Sequence, residues 1–114
     1  MNRFFRDTET LQHMKSGPLG LYIDRYADQL EAEGYARYSA FHMLRLVSLF
    51  SMWLERRRIH PHEIVPQHIT DYLRFRKRVG YQPGLGDSTT LIRMLTVLDE
   101  DAVIDLRNPK PNAV

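Results

Sequence analysis

In four segments of this 114-residue chain the apolar residues recur at intervals of three and four, and no segment alternates apolar with polar residues. That pattern restricts the chain to helices that bury one stripe each and excludes half-buried strands. The first stripe is Leu19, Tyr22, Ile23, Tyr26, Ala27 and Leu30, and the second is Met43, Leu46, Val47, Phe50, Trp53 and Leu54. The second carries the heaviest apolar load, so its helix is expected at the centre of a core. Val65, Ile69, Tyr72 and Leu73 form a third stripe, and Leu91, Met94, Leu95 and Leu98 a fourth. Tyr22, Tyr26, Phe50 and Trp53 are expected in the core.

Turn and cap residues set the boundaries. Gly17-Pro18-Leu19-Gly20 opens the first helix, with Pro18 expected in its first turn, and Gly34 closes it, because glycine accepts a left-handed C′ conformation without steric cost. Ser39 is the expected N-cap of the second helix, which runs to about Arg57 with Arg56-Arg57-Arg58 at its cationic end. Pro66 suits the first position of a third helix ending near Arg78. Gly80 to Gly86 is a loop, and Asp87 or Ser88 caps a fourth helix ending near Asp99. The expected organisation is a flexible leader over 1–16, with a short turn around Thr8 to Met14, then one helical domain over 17–107 and a tail or linker over 108–114. The fold class is all-α, a four-helix orthogonal bundle.

Composition narrows the function classes. With 43% hydrophobic and 26% charged residues the chain has the balance of a globular protein, and no apolar run approaches the roughly 18 residues of a membrane span. No signal peptide opens it, so the cytoplasm is the expected compartment. The absence of cysteine removes disulfides, thiolate zinc sites and cysteine nucleophiles. The net charge is only +2, yet residues 35–98 hold ten basic residues against four acidic ones. A surplus of six cations in the middle of the chain is the footprint expected of a partner with phosphates.

The order of landmarks resembles a known family. A first helix with Leu21-Tyr22-Ile23 and Leu30 ends at Gly34, a second carries Phe50-Ser51-Met52-Trp53-Leu54, and a third carries Ile69-Thr70-Asp71-Tyr72-Leu73. Ser88-Thr89-Thr90-Leu91 then opens the last helix, and Asn108-Pro109 follows it. Over residues 17–109 this is similar to the N-terminal SAM-like, or core-binding, domain of phage-integrase-type tyrosine recombinases. The resemblance implies one jaw of a clamp around double-stranded DNA, with the second and fourth helices set against the major groove. It carries the DNA-binding role to Arg37, Tyr38, Ser39, His42 and Arg45 on the second helix and to Ser88, Thr89, Thr90 and Arg93 on the fourth. His42 stands where the family usually has a small hydroxyl residue. The family's catalytic residues belong to a domain that would follow Asn108, so the expectation is a chain without catalytic residues, positioning the catalytic domain of a parent recombinase for DNA integration or recombination.

The chemistry of these side chains agrees. Arginine reaches phosphates or the guanine edge, hydroxyls donate to phosphate, and a helix N-terminus favours anions. Arg74, Arg76, Lys77 and Arg78 are possible further phosphate contacts, or a solvated helix end that complements the dipole. His42-Met43-Leu44-Arg45 spells the family's catalytic His-x-x-Arg outside its proper context and is read as accidental. His60, His62 and His68 are expected as loop and surface histidines rather than a metal site. No cofactor, metal, membrane or small-molecule substrate is implied. Two other readings fit the sequence: a helical protein–protein module, such as a truncated integrase modulating the assembly of other recombinase subunits, and a decayed gene fragment.

Overall fold

The computed structural model describes residues 15, 17–82, 84 and 86–106. The expected turn around Thr8 to Met14 and the tail from Asn108 lie outside them. Among the described residues there are four α-helices and one short 3-10 turn, and no strand: α1 (Gly20–Ala32), α2 (Arg37–Arg56), the turn Pro61–Glu63, α3 (Pro66–Arg78) and α4 (Asp87–Glu100). The fold class is therefore all-α. None of these helices is long and apolar enough to cross a membrane. The chain divides into two units, one running to Arg58 and the other starting at Ile59.

In the first unit α1 packs on α2. Ile23, Tyr26, Ala27 and Leu30 of α1 are buried, as the spacing predicts, and Leu19 is buried just ahead of the helix. The Ser51 hydroxyl of α2 accepts the Leu19 N–H at 2.9 Å, giving a buried backbone donor its partner where α1 begins. Gly34 ends α1 at φ +84, with Gly34 N–H donating to the Glu31 carbonyl and Tyr35 N–H to that of Leu30. Those two bonds form a Schellman motif, which satisfies the last carbonyls of the helix.

Three expectations are corrected in this unit. Pro18 lies ahead of the helix, which starts at Gly20, rather than in its first turn. Ser39 does not cap α2. The helix begins two residues earlier, with Ala36 in the extended N-cap conformation and Ser39 already in the first turn. Tyr22 and Met43 are half-buried, and the buried stripe of α2 passes instead through Ala40, Leu44, Val47, Ser51 and Leu54. Leu46, Phe50 and Trp53 are also buried, so from its third turn onward α2 is covered on most sides.

In the second unit α3 packs on α4. Ile69 and Tyr72 of α3 and Leu91, Met94, Leu95, Val97 and Leu98 of α4 are buried, while Val65 and Leu73 are half-buried. Gly80 at φ +102 repeats the Schellman ending, with Tyr81 N–H on the Arg76 carbonyl and Gly80 N–H on that of Lys77. Gly86, left-handed at φ +86, holds the N-cap position of α4 in place of the expected Asp87 or Ser88. The Asp87 carboxylate turns back to accept the Gly84 N–H at 2.9 Å.

Candidate nucleic-acid interface

The first half of α2 carries five of the residues singled out by the sequence, and all five are exposed: Arg37, Tyr38, Ser39, His42 and Arg45. They share a surface because the other side of the same two turns is anchored by Ala40 and Leu44, both fully buried. Tyr38, His42 and Arg45 stand at i, i+4 and i+7 on one stripe, with Arg37 and Ser39 flanking it. Tyr38 is 76% exposed, and its ring meets that of His42 edge-on at 4.4 Å between centroids. The Phe41 ring is also edge-on to that of His42, at 5.7 Å between centroids. The imidazole thus has two aromatic rings beside it on an exposed face.

Electrostatics favour anions on this surface. Residues 37–54 contain no carboxylate, and Glu55 is the only acid in α2. The amides of the first turn and the Arg37 guanidinium lie at the positive end of the helix dipole. Along α2 itself the stripe offers two guanidiniums, a phenol, a hydroxyl and an imidazole.

The residues expected on α4 divide. Ser88 and Thr89 are exposed, whereas Thr90 is only 8% exposed and Arg93 is half-buried. Thr90 lies one turn ahead of Met94 on the buried stripe and is not a surface donor, which corrects that assignment. The same turn carries Asp87, and α4 as a whole holds three acids against one arginine. The anion-attracting character inferred from its sequence is therefore weaker than that of α2.

At the end of α3, Arg74, Lys77 and Arg78 are exposed, but Arg76 is engaged by the protein itself. Its guanidinium lies 4.6 Å from the Tyr81 ring centroid and 5.7 Å from that of Tyr72, and it donates to the Tyr72 hydroxyl at 3.2 Å. Tyr72 is buried, and burial raises its phenol above the usual range, with the Arg76 hydrogen bond and charge acting in the opposite direction. Arg57 likewise lies over the Trp53 ring at 4.6 Å, so one member of the Arg56-Arg57-Arg58 run packs on an aromatic side chain of its own chain.

The histidines near Pro61 are also sorted. His60 and His62 are exposed and stack with their rings 6° from parallel. His68 is 7% exposed, which corrects its placement on the surface, and its Nδ1 accepts the Val65 N–H at the start of α3. Among the described residues no group of three or more His, Cys, Asp or Glu side chains could hold a metal ion.

Comparison with known proteins gives one direction. Over 98 residues, 86% of this chain, 30% are identical to a Sinorhizobium fredii protein provisionally named an integrase/recombinase, y4rA. The chain spans 23% of that protein's length. No family model matches the chain, and no solved structure matches it. The similarity relates the chain to a protein of integrase/recombinase type over a part of the latter's length.

Proposed function

We propose that this chain is a DNA-binding domain of the core-binding type, which grips duplex DNA through the first half of α2 and positions the catalytic domain of a tyrosine recombinase. The observation that carries the reading is the carboxylate-free exposed stripe of Tyr38, His42 and Arg45 with Arg37 and Ser39 at its edges. Arginines there hold the phosphate backbone, and the Tyr38 and His42 rings face the groove edges, as phosphate contacts set position and base-edge contacts set sequence preference. Ser88 and Thr89 of α4 supply further hydroxyl donors. The similarity to the Sinorhizobium fredii protein supports the same parentage, with integration or recombination as the whole protein's work.

Fluorescence anisotropy of a labelled duplex at increasing salt tests the proposal. Binding is expected to weaken with a log–log slope of about −0.9 per phosphate neutralised, and Arg37→Ala and Arg45→Ala should each make the slope shallower by about 1. Absence of binding at low salt, or a slope that neither substitution moves, rules the reading out.

A further inference from the structure

A groove of about 290 Å³ opens between the end of α3 and the start of α4, lined among others by Arg76, Lys77, Tyr81, Asp87, Ser88 and Thr89. Its aromatic wall is fixed in place. Tyr81 is tied through its backbone N–H to the Arg76 carbonyl, and its ring rests on the Arg76 guanidinium, which is in turn held by the hydroxyl of buried Tyr72. With one face of the ring occupied by Arg76, Tyr81 is still 55% exposed. A large apolar ring kept in water on a cationic support, beside exposed Lys77, is the arrangement by which proteins stack unpaired bases while holding the adjoining phosphate.

The groove also carries a negative group. The Asp87 carboxylate is pinned by the Gly84 N–H at 2.9 Å, so it stays beside the cations. A bare phosphate would be repelled by it. A nucleotide has both signs to offer, an anionic phosphodiester and the donor amines of a base edge. We propose that this groove seats one unpaired nucleotide of a DNA strand, with its base on the free face of Tyr81, its phosphate at Lys77 and its base edge toward Asp87 and the Ser88 and Thr89 hydroxyls. The proposal rests on the reading above for the class of partner alone, since the seat lies on α3 and α4 and the duplex stripe on α2.

The test uses the full chain with two probes, a duplex and a short unstructured DNA strand carrying one 2-aminopurine. Stacking on Tyr81 quenches the 2-aminopurine emission. Tyr81→Leu is expected to remove the quench and weaken strand binding about tenfold, the size of effect that losing one base–aromatic stack has, while duplex affinity stays within about twofold. Tyr81→Phe keeps the ring and should keep both the quench and the affinity. Strand binding that ignores Tyr81→Leu, or a loss equal on strand and duplex, overturns the seat. Duplex binding lost through Arg37→Ala and Arg45→Ala with the strand quench intact separates the two sites, and strand quenching without any duplex binding would sink the earlier reading and leave this one standing.

Discussion

The Nδ1 of His68 accepts the backbone N–H of Val65 at 3.0 Å, which makes a buried imidazole the cap of α3. Position N3 of a helix is where a Glu or Gln side chain often reaches back to the N-cap amide, and here a histidine performs that task beneath the surface. His68→Ala should therefore cost about 1–3 kcal/mol, because it leaves a part-buried N–H without its acceptor and removes packed volume. His68→Gln keeps an acceptor at the same reach and should recover part of the loss. Urea denaturation of the three proteins decides it, and equal midpoints for wild type and His68→Ala would refute the capping role.

One turn earlier, Glu63 repeats the motif at the surface, its Oε1 accepting the His60 N–H at 2.9 Å. That hydrogen bond holds the carboxyl below the ordinary carboxylate value of about 4.5, the charge of the neighbouring imidazoles adds to it, and burial opposes it. A carboxyl with a depressed folded-state pKa contributes stability that is fully present above its unfolded value and is lost as the pH falls through the folded one. Urea midpoints should thus fall more steeply for wild type than for Glu63→Gln between about pH 5 and about pH 3. Parallel pH profiles would show that the bond contributes nothing.

The Schellman motif at the end of α4 sets an alanine where α1 and α3 use glycine. Ala102 sits at φ +59, with Val103 N–H on the Leu98 carbonyl and Ala102 N–H on that of Asp99. A left-handed residue with a Cβ costs about 1–2 kcal/mol, partly offset because glycine loses more chain entropy on folding. Ala102→Gly should therefore stabilise by roughly 0.5–1 kcal/mol. Gly34→Ala should destabilise by a similar amount through φ alone, since a Cβ there meets no atom within 4 Å. Thermal melts of the two variants are expected to move in opposite directions.

The helices were legible in the sequence because an amphipathic stripe records burial directly, and Pro66, Gly34 and Gly80 act through backbone geometry that needs no tertiary partner. What the periodicity left out are polar residues whose burial depends on a neighbour. His68 reads as a loop histidine until the Val65 amide is placed beside it, and Ser51 reads as a solvent residue until Leu19 donates to it. Ser39 has the side chain of an N-cap, yet the chain turns into α2 two residues sooner, with Ala36 extended. On the candidate site, the family resemblance names the α2 residues, and helical spacing explains why Tyr38, His42 and Arg45 share one side. The engagement of Arg76 by two tyrosines could not be read from spacing, since Tyr81 lies beyond the helix and returns to it through the Gly80 turn.

Adjacent threonines at the start of α4 give a direct comparison between surface and core. Thr89 is exposed and Thr90 is buried on the stripe that continues through Met94. If hydroxyls of this turn donate to a DNA backbone, Thr89→Val should weaken duplex binding about tenfold or more, because one hydrogen bond to a charged group contributes about 1.5–3 kcal/mol net of water, and should leave the thermal midpoint nearly unchanged. Thr90→Val exchanges a buried hydroxyl for a methyl of similar shape, so its effect falls on stability, by about 1 kcal/mol, with duplex affinity intact. Anisotropy and melting measured on both variants give four numbers, and the expected pattern is crossed. Should Thr90→Val lower affinity while Thr89→Val does not, the α4 hydroxyls act from inside the fold and the exposed turn is not a DNA contact.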